Sequence, residues 1–183
     1  FAQRRALHRV VAEWYETTYG DGQYTQDSPL APHYPLLAYH WRQAENPEKE
    51  RLYARLAGEQ AAARFANEEA VTYFTRALEL TPKEDLREQY RLTLAREAVY
   101  HLAGMRDEQS QDLIHLQALA ETLNDPRVYA EVTLRYANYY EAMSDYGSAL
   151  MIAQQTVSWA EQAVSPEQKI RGLVAWAFAL WRR

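Results

Sequence analysis

Five histidines, His8, His33, His40, His101 and His115, are the side chains best suited to metal binding or proton transfer near neutral pH. Their spacing serves neither. No two stand four apart on a predicted helix, and there is no H-E-x-x-H run to aim two imidazoles at one metal. The chain has no cysteine, which removes thiolate nucleophiles, disulfides and cysteine-ligated zinc or iron–sulfur centres. Its six glycines never form G-x-x-x-x-G-K-[ST] or G-x-G-x-x-G, so no phosphate-cradling loop is expected. No serine or threonine stands beside a recognisable base and oxyanion donor. The expectation is a chain without catalysis, cofactor or metal. His40, between Tyr39 and Trp41, reads as a hydrogen-bonded interface histidine.

Composition narrows the partners. The chain has 183 residues, 48% apolar and 25% charged, which suits one water-soluble domain with a substantial core. A formal charge of −5 argues against nucleic acid as a partner, because displacing counterions from phosphates needs a basic footprint. The longest apolar run, residues 172–181, is half the roughly 20 residues of a membrane span, so no membrane association is expected and a cytoplasmic location is the default.

The elements follow from punctuation. A capping residue directly precedes proline at Asn46-Pro47, Thr81-Pro82, Asp125-Pro126 and Ser165-Pro166. Each pair reads as a helix start: the side chain accepts an orphan N–H of the first turn, and proline lacks only a donor that would be unpaired there. Glu84 and Gln168 would complete capping boxes with Thr81 and Ser165. Apolar residues at Ala6, Leu7, Val10, Val11, Trp14 and Tyr15 predict a helix over 2–19. Residues 20–34 read as a loop and candidate linker, and Pro35 opens a short helix through Ala44. Helices are then predicted at 47–65, 68–80, 83–103, 107–123, 126–142, 146–162 and 166–182, as antiparallel pairs with no strand. Alanines such as Ala54, Ala57, Ala61, Ala70, Ala77, Ala137 and Ala149 mark close helix approach, and Phe74, Leu134 and Tyr140 fill the gaps. The acidic residues between Glu45 and Glu69 read as a solvated face.

These residues resemble the tetratricopeptide repeat family, whose unit of about 34 residues packs two helices around small and aromatic positions. In one unit, Arg51 to Glu84, Gly58, Ala70, Phe74, Ala77 and Pro82 fall at the family's positions; in another, about 130–164, Ala137, Tyr140, Tyr146 and Ala149 do. The middle unit departs, with Gln109 in place of alanine. The first third, through Arg4-Arg5-Ala6-Leu7-His8, Glu13-Trp14-Tyr15, Leu36-Leu37-Ala38-Tyr39-His40-Trp41 and Ala57-Gly58-Glu59-Gln60-Ala61, is similar to the junction where a STAND-type ATPase module of bacterial signalling proteins passes into such repeats.

The resemblance implies an all-α right-handed superhelix: a junction segment over 1–46, then about three repeats over 47–183. It implies a protein–protein interaction or signal-relay role in a larger bacterial regulator. In the family's register, the row facing a partner holds Arg55 and Glu59, then Arg91, Leu94 and His101, then Leu134, Asn138 and Glu141. That mixture suits a peptide, or another domain of the same polypeptide. The alternative is a small effector held near Trp14, Tyr39 and Trp41. The opening at Phe1 and the apolar last helix lead to the expectation of a segment cut from a longer chain. That helix, too apolar for a solvent-facing cap, is expected to be covered by a further helix or a second copy as a homodimer.

Overall fold

The computed structural model describes residues 2–183. Among them every regular element is helical: α1 (Ala2–Tyr19), a 3-10 turn (Ala31–His33), α2 (Tyr34–Gln43), α3 (Pro47–Ala63), α4 (Asn67–Glu79), α5 (Leu86–Ala103), α6 (Arg106–Leu123), α7 (Pro126–Ala142), α8 (Tyr146–Gln162) and α9 (Pro166–Arg182). They form two compact units, Phe1–Ala103 and Gly104–Arg183. No described helix is long and apolar enough to cross a membrane.

In the first unit α1 packs on α2, α2 on α3, α3 on α4 and α4 on α5. The last part of the segment expected to be a linker joins this core, while residues 20–27 are exposed. Leu30 and Ala31 are buried, Tyr34 Oη donates to the Thr25 carbonyl at 2.8 Å, and Gln60 Nε2 donates to the Ala31 carbonyl at 3.1 Å. Segment 1–46 thus lies in one unit with α3–α5. Its anchor is Glu16 on α1, whose Oε1 accepts from Tyr53 Oη at 2.6 Å, Lys49 Nζ at 3.0 Å and Trp41 Nε1 at 3.2 Å. One carboxylate so ties α1 to α2 and α3. Farther along α3, Gly58 admits the Phe74 ring of α4: a Cβ there would lie 2.9 Å from two ring carbons.

The second unit packs α6 on α7, α7 on α8, and α9 on both α8 and α7. Its central helix, α8, turns Ala149, Ala153, Thr156 and Ala160 inwards, a small-residue stripe at spacings of four, three and four that lets its neighbours approach. Thr156 Oγ1 donates to Thr133 Oγ1 at 3.0 Å, and Gly172 of α9 sits where a Cβ would meet Thr156 at 3.0 Å. Gln109, the departure from the family pattern, is fully buried on α6.

Prolines start α3, α7 and α9 as expected, and Asn46 and Asp125 cap the first two by accepting from Lys49 N–H and Arg127 N–H. Thr81-Pro82 is the exception. Buried Thr81 turns its hydroxyl back to the Ala77 carbonyl at 2.8 Å, closing α4, and Asp85 caps α5 through Glu88 N–H at 3.2 Å. The capping box with Glu84 therefore does not form. Nor does that of Ser165, whose side chain makes no cap bond while Gln168 Nε2 donates to the Arg127 carbonyl at 3.0 Å. Glu50 also leaves the expected solvated face: it is buried and accepts from Arg76 Nε at 2.6 Å.

The turns share one device. Glu45, Phe65, Gly104, Asn124, Ser144 and Val164 each have positive φ, in the left-handed region. Around four of them the next N–H bonds the carbonyl five residues back, as in Ala66 to Ala61 and Ser165 to Ala160, the Schellman arrangement. Val164, with φ of 51° and 81% exposed, is β-branched where glycine is favoured. Val164→Gly is expected to raise the unfolding free energy by about 1 kcal/mol, read from the urea midpoint. Glu16→Ala is expected to lower it by about 3 kcal/mol, since it strands a lysine, a phenol and an indole N–H together; Glu16→Gln should cost less.

Candidate functional site

The structure divides the expected partner-facing row between the two units, and its parts differ in chemistry. In the first unit the charges pair among themselves. Arg55 Nη1 meets Glu59 Oε1 at 2.9 Å, Arg91 Nη2 meets the same oxygen at 3.1 Å, and Arg55 Nε lies 3.5 Å from Glu88. The first lies within α3 and the other two cross from α3 to α5, leaving little unspent charge on that face. Leu94 and His101 are half-buried on α5.

In the second unit three members of the row converge. Leu134, Asn138 and Glu141 of α7 line a groove of about 340 Å³, whose other wall is Ile170, Arg171, Val174, Ala175 and Phe178 of α9. Their positions follow from helix geometry: residues 134, 138 and 141 share one stripe of α7, and 170, 174 and 178 one stripe of α9. The stripes meet because α8 holds both helices against itself. Leu134 is buried at the floor, whereas Ile170 and Val174 are 62% and 64% exposed. Neither Asn138 nor Glu141 has a side-chain hydrogen bond or ion pair among the described residues. Arg171 Nη1 is drawn to Glu131 Oε2 at 3.1 Å, and Glu131 also accepts from Arg135 at 2.9 Å. The groove thus offers an apolar floor and wall, a free amide and a free carboxylate. The α9 half was not foreseen as a site, although its spacing of four and four, with Arg171 alongside, was visible in the sequence.

Two further places bear on the expected chemistry. The cavity near Tyr39 exists, about 530 Å³, but it lies between α2 and α4 over α3. Tyr39, Arg42, Glu50, Tyr73 and Arg76 line it, and neither Trp14 nor Trp41 does. Trp41 is buried and bonded to Glu16, and Trp14 is exposed beside Tyr15 and Tyr19. The Glu16 cluster is the convergence of ionisable groups that spacing could not reveal, since its members lie 25 to 37 residues from Glu16. Both its oxygens are occupied by donors, and burial together with the neighbouring Glu16 carboxylate raises the Tyr53 phenol, which stays protonated. That arrangement holds helices in place.

His40 does form an interface bond. Its Nδ1 lies 2.8 Å from His8 Nδ1 across α1 and α2, so one imidazole donates and the other accepts. No group of three or more His, Cys, Asp or Glu able to hold a metal occurs among the described residues. Compared with known proteins, the sequence matches no family model and no curated protein.

The histidine pair fixes a pH dependence. Burial, and then the neighbouring His8, lower the His40 pKa below its ordinary value. A group depressed in the fold stabilises it above the unfolded pKa, and that contribution is lost as pH falls and the unfolded state takes up the proton more readily. The thermal midpoint is expected to fall between pH 7.5 and 5.5, and His40→Gln to flatten that dependence. A wild-type midpoint constant across this window would contradict the assignment.

Proposed function

We propose that this chain is a non-catalytic partner-binding array of helical hairpins whose working surface is the groove between α7 and α9. The observation that carries this reading is the meeting of Leu134, Asn138 and Glu141 with the exposed apolar stripe of α9 around one cavity, with the amide and carboxylate left unpaired. These two half-buried polar groups beside exposed apolar side chains are available to a partner's backbone and to a cation on it. An amphipathic helix fits this lining: its apolar stripe covers Ile170, Val174 and Phe178, and a lysine or arginine reaches Glu141. The last helix could equally seat a second copy of the chain, since Leu180 and Trp181 also stand in solvent, at 55% and 76% exposure.

Consecutive packed helix pairs support the finer reading, a tetratricopeptide-like superhelix serving as a scaffold or signal relay in a larger cytoplasmic regulator of the STAND type. So do Gly58, Ala70 and Phe74 at the family's positions, with Gly58 in contact with Phe74. The period speaks for a longer unit than the family's. Helices α3, α5, α7 and α9 begin at residues 47, 86, 126 and 166, intervals of 39, 40 and 40.

A second reading, small-effector sensing, is favoured by the cleft between α2 and α4. Its volume of about 530 Å³ falls in the range of small-molecule sites, and Arg42 stands at it with no ion-pair partner among the described residues.

Selection of helical peptides from a displayed library against the intact chain tests the first reading. Selected binders are expected to lose at least tenfold in affinity for Val174→Asp, an exposed position whose change leaves the circular dichroism spectrum unaltered. Cationic binders should lose about three- to tenfold for Glu141→Gln, the scale of one charge-assisted bond. Binders indifferent to both variants would overturn it.

A further inference from the structure

A second stripe of α7 builds another cleft. Tyr129, Thr133, Tyr136 and Tyr140, at spacings of four, three and four, line a cavity of about 450 Å³ with Gln155 and Trp159 of α8. No charged side chain lines it. Tyr129 and Trp159 stack at 4.5 Å with their planes 15° apart, and Tyr136 and Tyr140 at 6.2 Å and 25°. The core does not use the polar ends of these rings. The three phenol O–H groups, the indole N–H and the Gln155 amide have no hydrogen-bond partner among the described residues. Burial, with Tyr140 and Tyr139 nearby, raises the Tyr136 pKa, so its phenol remains a donor well above neutral pH.

An uncharged aromatic cleft with unpaired hydroxyls and an indole N–H suits an uncharged ligand that carries acceptors and is flat enough to lie on rings. The phenols and the Gln155 amide accept as well as donate, whereas the Trp159 N–H donates only and needs an acceptor on the ligand. A quaternary ammonium needs several open ring faces around it, whereas Tyr129 and Trp159 each cover a face of the other. Proline has no N–H, and in a polyproline II helix every carbonyl is left without an internal partner. The dimensions also agree. Seven residues separate Tyr129 from Tyr136, about 10 Å along α7, and one polyproline II turn rises about 9 Å. We propose that this cleft between α7 and α8 binds a proline-rich segment in the polyproline II conformation, its pyrrolidine rings on the aromatic side chains and its carbonyls accepting from the tyrosine hydroxyls and the Trp159 N–H. This site is separate from the α7/α9 groove.

Calorimetric titration of the intact chain with capped nonaproline tests it, with a capped glycine–serine nonamer and tetramethylammonium as comparison ligands. Saturable binding of nonaproline alone is expected. Tyr129→Phe with Tyr136→Phe keeps the rings and removes two donors, and should weaken binding about five- to fiftyfold with the thermal midpoint little changed. Asn138→Ala with Glu141→Gln should leave nonaproline affinity unaltered, which separates this site from the groove of α9. The proposal is overturned by equal affinity for the glycine–serine peptide, by saturation with tetramethylammonium in place of nonaproline, by no nonaproline binding at millimolar concentration, or by unchanged affinity in the double phenylalanine variant.

Discussion

Reversing the chain within two or three residues is the constraint on which this architecture rests. A residue turned left-handed at a helix end reverses the chain within a few residues. Glu45, Phe65, Gly104, Asn124, Ser144 and Val164 do so, and the last four of them stand 20 residues apart. Helices of about 17 residues and turns of about three follow from that spacing. Within each unit neighbouring helices then pack on one another, and helices two apart leave a gap between them. Two of the cavities described above occupy such gaps, α2 with α4 in the first unit and α7 with α9 in the second, and the third lies between α7 and α8. Sites arise here where a hairpin array cannot close its own surface.

Electrostatics decides which gaps stay chemically open. Buried or half-buried carboxylates in the first unit are matched: Glu16 by Lys49, Tyr53 and Trp41, Glu50 by Arg76, and Glu59 by Arg55 and Arg91. An unmatched charge in such places would cost several kcal/mol, so the pairs are conditions for folding more than sources of stability. On α7, Glu131 is matched by Arg135 and Arg171, one turn and more from Glu141. Glu141 and Asn138 are only half-buried, so water satisfies them at little cost. They can therefore stay free until something else binds.

Much of this was legible in the residues. Proline after a capping residue located the starts of α3, α7 and α9 because the reason is local: a missing N–H and a side-chain acceptor. Thr81-Pro82 carries the same local signal, yet a buried threonine hydroxyl found the Ala77 carbonyl nearer than any new helix. Tertiary burial overrode propensity there. The same holds for Glu50, whose partner Arg76 is 26 residues away, and for Glu16. The left-handed turns were partly hidden because only Gly104 and Asn124 have the expected residue types; Phe65 and Val164 are held there by the helices on either side. Of the candidate row, the stripe on α7 could be placed by register, but its apolar wall on α9 required knowing that α8 brings 134 and 174 to one groove.

A hairpin of 40 residues where the resembling family uses about 34 has a physical consequence. Three more residues per helix lengthen each by about 4.5 Å, close to one turn. The groove between two parallel helices lengthens by the same amount and can contact one more turn of a bound helix. The misread start at Pro82 concealed this, since it made the intervals irregular. With α5 starting at Leu86 behind Asp85, the starts of α3, α5, α7 and α9 fall into an even period. Within the second unit the interval of 40 residues between the starts of α7 and α9 keeps their corresponding stripes in register. That is why Leu134, Asn138 and Glu141 on α7 face Ile170, Val174 and Phe178 on α9 along one line, so that a single straight ligand could touch all of them.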